Sequence, residues 1–308
     1  MRIIKPSVEI LEQAPGLEGI YKAIEAAGRN CYQSSHLIGE DTAKPFVERM
    51  IKDGHTAMLE HGTVYMLIPR LDSENLIMGN WVISNYGENP YSILRLNKDN
   101  NYCITTNYRV LVEHGWLDDL KYLCEPTEDH ERRVTARFST QIAITREYNR
   151  HRVNSIAEES TRYCNYSKEK YGTEISINLP TWIEKEKLPR IDNDLEALKT
   201  YCRYIDGSIF APGAKMEAID WWLFANLACE MSYMKLIEAG WSAQQARTVL
   251  PLDTNTTLVH TAFVSDWQHF FDLRSRGITG KPHPDAKVLA DELLKIFTEK
   301  GYIHGSDK

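Results

Sequence analysis

The 308-residue sequence is short of several features, and each shortage removes a class of protein. No apolar run approaches the ~20 residues that cross a bilayer, so a membrane-spanning protein is not expected. The first residues, MRIIKPSVEILEQ, hold neither the apolar stretch nor the small-residue cleavage site of a secretory leader, which makes a cytoplasmic location the expectation. The six cysteines (Cys31, Cys103, Cys124, Cys164, Cys202, Cys229) are scattered, with no CxxC and no zinc spacing, so reduced thiols are predicted. Neither GxGxxG nor a P-loop is present to hold a dinucleotide in the usual way, and GxSxG is missing as well. Excess positive charge is also lacking. With 36 Lys and Arg against 43 Asp and Glu, the net charge of −7 argues against nucleic acid as a partner but not against a nucleotide.

The composition is that of an ordinary globular protein, 43% hydrophobic and 26% charged, and the length allows a substantial core in one large domain or two. The patterning is α/β, without repeats or low-complexity tracts. A strand is predicted over 2–11 and helices over Leu17–Cys31 and Thr42–Lys52, the second with Pro45 in its first turn and Gly54 just past its end. Thr63–Pro69 reads as a strand. Within 71–131, turn residues frame a hairpin (Tyr91–Leu96 with Tyr102–Thr106) and helical pieces at Tyr108–Glu113 and Leu117–Leu123. Arg132–Ser139 alternates as a strand, a helix covers 140–149, and Tyr171–Pro180 reads as irregular. Asn193 with Glu196 forms a capping box opening a helix to about Ile209. Ala214–Ala239 is apolar on nearly all sides and ends at Gly240, which predicts a helix buried on all sides, inside an oligomer core. Ser242 with Gln245 starts a short helix that carries Arg247; Thr256–Val264 is a strand. Ser265 with Gln268 is expected to cap the helix bearing His269 and Arg274, and a last helix follows Pro284.

One stretch concentrates the chemistry. REYNRHRVNSIAEESTRYCNY, Arg146 to Tyr166, holds Arg146, Arg150, Arg152 and Arg162 with His151, Glu147, Glu158 and Glu159. From His130 to Lys170 there are nine Lys and Arg against five Asp and Glu, a basic island in an acidic chain that suits a bound anion. Arg146 and Arg150, four apart, are predicted to share a helix face, where their repulsion of a few tenths of a kcal/mol is offset by a phosphate between forked guanidinium groups. A solvated surface helix with scattered arginines accounts for the same charges.

Arg150-His151-Arg152, seven intervening residues, Ser160 and then Arg162-Tyr163 form an RHR-x7-S pattern that resembles the flavin-dependent thymidylate synthases. Gly54-His55 with Glu60-His61 is similar to that family's upstream histidine segment. Ala246-Arg247-Thr248-Val249-Leu250-Pro251-Leu252 is similar to its second arginine segment, and Phe271-Asp272-Leu273-Arg274 to its C-terminal one. The resemblance implies a single catalytic domain over 1–308, α/β (α+β), with a small mixed sheet packed against long helices. Compact members have little at 71–131, which is therefore expected to be an insertion. It further implies FAD bound by His55, Arg150, His151, Arg152, Glu158 and His269, and dUMP bound by Glu147, Arg150, Glu158, Glu159, Ser160, Arg162, Arg247 and Arg274. Arg274 is the catalytic candidate: a fixed cation against the uracil stabilises negative charge on the ring. The implied reaction is reductive methylation of dUMP to dTMP, with methylenetetrahydrofolate as carbon donor and NADPH as reductant, in a homotetramer with sites at subunit interfaces.

The residues also carry departures and alternatives. Ala57 stands where the family commonly has Ser or Thr, Ala157 where it has Asn, Glu147 where it has Gln, and His269 where some members have Asn. An alanine side chain makes no hydrogen bond, so contacts at Ala57 and Ala157 are lost or moved. Cys164, two residues after Arg162, is weighed as a nucleophile and read as structural, since no Pro-Cys-His signature accompanies it. Ser160 has no base arranged as in a triad and is read as a hydrogen-bonding group. His55 and His61 are six apart, not a helical ligand pair, and no metal is expected. Three alternatives stay open: a flavoenzyme acting on another pyrimidine nucleotide, a non-catalytic nucleotide- or flavin-binding relative, and a chelator-sensitive hydrolase using His55, His61 and His151.

Overall fold

The computed structural model describes residues 1–70, 80–183 and 218–303. The expected strand over 2–11 is two strands, β1 (Arg2–Ile4) and β2 (Ser7–Leu11), in different sheets. Pro6 lies at the break, where its missing N–H cannot serve a ladder. Helices α1 (Gly16–Asn30) and α2 (Ala43–Lys52) follow as predicted, then β3 (Thr63–Ile68), the hairpin β4 (Ile93–Leu96) and β5 (Tyr102–Asn107), and α3 (Tyr108–His114). Next come β6 (Arg133–Gln141), α4 (Ile142–Tyr148), β7 (Ser155–Glu158) and β8 (Ser176–Asn178). The remaining elements are α5 (Ala218–Glu238), α6 (Ala243–Ala246), β9 (Asn255–Phe263), α7 (Val264–Phe271) and α8 (Pro284–Glu299). The helix expected from Asn193 to Ile209, and the first residues of the one expected from Ala214, lie outside the described residues.

The central sheet is antiparallel, in the order β2-β6-β9-β7. Alternation along β6 sends Val134, Ala136 and Phe138 to one face, where they meet Trp267, Phe270 and Phe271 of α7 and Leu289, Leu293 and Phe297 of α8. Against the other face lies the C-terminal half of α1, with Ala27 on Ala157 and Val259. A second sheet, β3-β5-β4, packs on α1 and α2 through Ile20, Ile24, Phe46, Met66 and Ile104. The segment 71–131 thus supplies the middle strand of that sheet, since β5 pairs with β3 over six residues. Gly28 permits the close packing of α1 on α2: a Cβ there would meet the Phe46 ring at 2.5 Å.

Other expectations are corrected. The region read as irregular after the motif contains β8, which pairs in parallel with β1. The α7 N-cap is Phe263 without a side-chain cap, and Ser265 lies inside the helix; the Ser242–Gln245 capping box is formed as expected. In this chain α5 buries Leu223, Leu227 and Tyr233 but leaves Met231 exposed, so it is not covered on all sides.

Candidate active site

The RHR stretch folds as three pieces: the end of α4, a tight loop, and the edge strand β7, whose pairing with β9 was not anticipated from sequence. Because α4 ends at Tyr148, Arg150 lies beyond the helix, and the predicted shared face of Arg146 and Arg150 does not form. Strand β7 and the residue that follows Glu159 are tied to the end of α1. Asn30, at the end of α1, donates to the carbonyls of Ala157 and Thr257, each at 3.1 Å, and the Ser160 N–H donates to Cys31 O at 2.8 Å.

Two clusters emerge. In the first, Arg274 sits on a π-helical turn, Asp272–Arg276, that extends α7. Such widened turns re-aim side chains and recur at functional sites. Its Nη1 pairs with Glu147 Oε2 at 2.8 Å, its Nη2 donates to Glu147 O at 2.6 Å, and its Nε donates to His151 Nε2 at 3.3 Å. Arg150 Nη1 also lies 3.7 Å from Glu147 Oε2, so this carboxylate faces two guanidinium groups. His151 is buried against Phe270, and its ring centroid lies 5.8 Å from that of His269. Burial, reinforced by the Arg274 charge and by His269, pushes the His151 imidazole down to about 4. It is neutral at pH 7 and can accept the Arg274 bond.

The second cluster lines a cavity of about 310 Å3 formed by Ile142, Arg146, Glu158, Glu159, Ser160, Thr161 and Arg247. Arg247, at the end of α6, donates to Thr161 Oγ1 at 3.2 Å, while Arg162 Nε donates to Gln244 Oε1 at 3.0 Å. The motif and the second arginine segment are thereby brought together from 86 residues apart. Glu158 is held by Thr145 Oγ1 at 2.6 Å and Asn149 Nδ2 at 2.9 Å, which turns it to α4. Glu159 is buried and accepts from Tyr166 OH at 3.0 Å; desolvation raises its carboxyl above the usual range. Between the clusters runs the last turn of α4, with Arg146 on one side and Glu147 on the other.

Arg146 belongs in this site, although the motif resemblance did not assign it a role; the basic island and its spacing were the features that pointed to it. Thr161 and Gln244 had no sequence feature to single them out. Arg150 and Arg152 are exposed, 72% for the Arg150 side chain. His55 is exposed at the start of the 3-10 turn Thr56–His61, and among the described residues its side chain makes no hydrogen bond to either cluster. Cys164 is buried, and desolvation first, then Glu159, pushes its thiol up to about 12, so it is a poor source of thiolate. Among the described residues no group of three His, Cys, Asp or Glu side chains is placed to hold a metal ion, and no helix is long and apolar enough to cross a membrane.

Comparison with known proteins bears on this arrangement. A Tropheryma whipplei flavin-dependent thymidylate synthase is 27% identical over 168 residues, which is 53% of this chain and 63% of the relative. One from Corynebacterium diphtheriae is 28% identical over 160 residues, 51% of this chain and 54% of the relative. A probable flavin-dependent thymidylate synthase of Paramecium bursaria Chlorella virus 1 is 35% identical over 68 residues, 22% and 30%. The chain thus spans less than two thirds of the length of each of these curated relatives. A crystal structure of the UMP/dUMP methylase PolB from Streptomyces cacaoi, bound with 5-Br dUMP, aligns with a TM-score of 0.41 and 14% identity over 97% of this chain and 93% of that one. The family model described as thymidylate synthase complementing protein matches residues 131–300, a span that includes both clusters. With more than half of its length so matched, the chain belongs to that family, the family of the flavin-dependent thymidylate synthases.

Proposed function

We propose that this protein is a flavin-dependent thymidylate synthase that converts dUMP to dTMP. The observation that carries the reading is the cavity where Arg146, Ser160, Thr161 and Arg247 meet, with Arg162 beside it. Two flexible cations and two hydroxyls around one opening suit a phosphate monoester, which takes forked guanidinium contacts. Arg274, held against Glu147 of α4, serves the pyrimidine end. Glu147 and His151 hold the guanidinium through Nη1, Nη2 and Nε, leaving one N–H on each Nη for a ring oxygen. Neutral His151 orients this cation without repelling it.

FAD is read onto the RHR loop, where Arg150 and Arg152 are exposed cations and the exposed His269 ring stands beside His151. When bound, FAD reduced by NADPH supplies the hydride and methylenetetrahydrofolate the carbon, while the protein supplies position and charge. Glu158, tied to Thr145 and Asn149, couples the nucleotide cavity to the loop. We further read the working unit as a cytoplasmic homotetramer with sites shared between subunits, a state in which a neighbouring subunit would cover Met231 of α5.

The decisive test is anaerobic dTMP formation from dUMP, methylenetetrahydrofolate and NADPH, with and without FAD. Flavin-dependent product supports the whole reading. Flavin bound and NADPH oxidised without dTMP moves the substrate, and turnover of UMP or dCMP would then identify a different pyrimidine nucleotide. No flavin binding would leave a nucleotide-binding relative.

A further inference from the structure

The RHR loop is exposed to solvent at Asn149, Arg150, Arg152 and Val153, and it turns inward at His151 and Asn154. His151 reaches Arg274. Asn154 belongs to neither cluster: it is buried, and its Nδ2 lies 2.6 Å from Nε2 of His260, on β9. The register of the sheet makes this contact. Ile156 of β7 stands opposite His260, so the period-two alternation, carried one step back from the strand, sends Asn154 to the same face. His260 is wholly buried, with its ring centroid 4.6 Å from that of Trp267 and 5.9 Å from that of Phe270. It is a fixed point. Each tautomer of the ring finds its match in one end of the amide, so the pairing stands whichever partner donates.

The same residue holds the backbone of the loop. Asn154 N–H donates to His151 O at 3.2 Å, and His151 N–H donates to Tyr148 O at 3.1 Å. His151 Nε2 in turn accepts from Arg274 Nε at 3.3 Å. A connected path therefore runs from the core to the catalytic candidate through His260, Asn154, His151 and Arg274. The contacts of Asn149 with Glu158 and of Arg150 with Glu147 lie at the surface, where an ion pair is worth little. Breaking the buried Asn154–His260 pair leaves a desolvated polar atom behind and costs correspondingly more.

We propose that Asn154 is a positioning residue for the RHR loop: through His260 it holds Arg150 and Arg152 in place for the cofactor and His151 in place for Arg274. The proposal rests on the reading that FAD lies on this loop.

The test is limited trypsin digestion of the full chain without flavin, with cuts after Arg150 and Arg152 followed by mass spectrometry. Loss of the buried bond in Asn154→Ala should speed both cuts about 10-fold, since cleavage follows the population of the open loop, and should leave cuts elsewhere unchanged. His260→Phe keeps a ring in the aromatic core but offers no nitrogen, and it should behave alike; it carries the test should Asn154→Ala fail to fold. His260→Gln, which can still pair with the amide, should digest as slowly as the native sequence. Loop cuts unchanged in the first two variants, cuts faster everywhere alike, or no rescue by His260→Gln overturns the proposal. In the dTMP assay the first two variants should lose about 10-fold or more in kcat with KM for dUMP nearly unchanged, and His260→Gln should restore kcat. A loop that opens without any fall in kcat would make Asn154 structural only. A native sequence that binds no FAD fails the flavin reading instead, and the digestion pattern still decides the anchor.

Discussion

His260 should make the fold acid-sensitive, and by an amount that can be worked out. Its side chain points from β9 into the aromatic core, fully buried, with its ring centroid 4.6 Å from Trp267, and Nε2 accepts from Asn154 Nδ2 at 2.6 Å. Desolvation, helped by the neighbouring His151 and His61, pushes the imidazole down to about 3. In the unfolded chain it titrates near the ordinary 6.5. The folded value is the depressed one, so the contribution is intact above about 6.5 and is lost as the pH falls below it, because the unfolded chain then binds the proton that the native chain refuses. At pH 5 the unfolded ring is almost wholly protonated and the native ring almost wholly neutral. One ring then costs about 2 kcal/mol relative to pH 7. The assay is urea unfolding at pH 7 and pH 5 for the native sequence and His260→Gln, whose amide oxygen can still accept from Asn154. The variant should be less stable at pH 7 but should lose about 2 kcal/mol less on going to pH 5, at unchanged m. Parallel stability curves for the two proteins would refute a neutral, buried His260.

The other predictions concern the candidate site. Arg274→Ala should cut dTMP turnover on the order of 100- to 1,000-fold, as loss of one charge-stabilising donor does, while flavin absorbance shows FAD still bound; full turnover would remove the ring-activating role. Arg146→Ala should raise KM for dUMP about 10-fold or more with a smaller effect on kcat, the signature of a lost phosphate contact; an unchanged KM would take Arg146 out of the nucleotide site. Cys164→Ala should keep dTMP formation, because its thiol is held far above neutrality; a folded, flavin-bound but inactive variant would mark it as a nucleophile after all. Asn30→Ala should cost about 1–3 kcal/mol in chemical denaturation, since both carbonyls it serves lose their donor.

Much of the fold was legible because its strongest elements obey short-range rules. The helices over 16–30 and 43–52 show apolar spacing and end signals, and the hairpin at 93–107 is marked by turn residues between β-branched runs. The failures have particular causes. Residues 2–11 alternate as one strand would, and only the bend at Pro6 sends the two halves to different sheets. β7 is four residues long and polar at both ends, so nothing local announces it; its pairing with β9, about 100 residues later, creates it. Ser265 and Gln268 have capping-box spacing, but β9 runs straight into α7, so Phe263 takes the cap position.

The site was legible as a list of residues and not as an arrangement, and the difference is long-range. Arg162 and Arg247 were both singled out, yet only folding shows that Gln244 and Thr161 bring their segments together. Glu147 was singled out as standing where the family has Gln and as one of the residues implied to bind dUMP. In the folded chain its carboxylate, on α4, meets Arg274, where its charge becomes a support. Arg146, its neighbour, takes the opposite side of the turn and lines the cavity. Spacing alone would have put Arg146 with Arg150. What separates them is where α4 stops, a property set by the tight loop that Tyr148, buried in the aromatic core with its hydroxyl bonded to Ala286 O, anchors in place. Tyr148, a core residue, therefore decides which arginine lines the cavity and which lies on the loop beside Glu147.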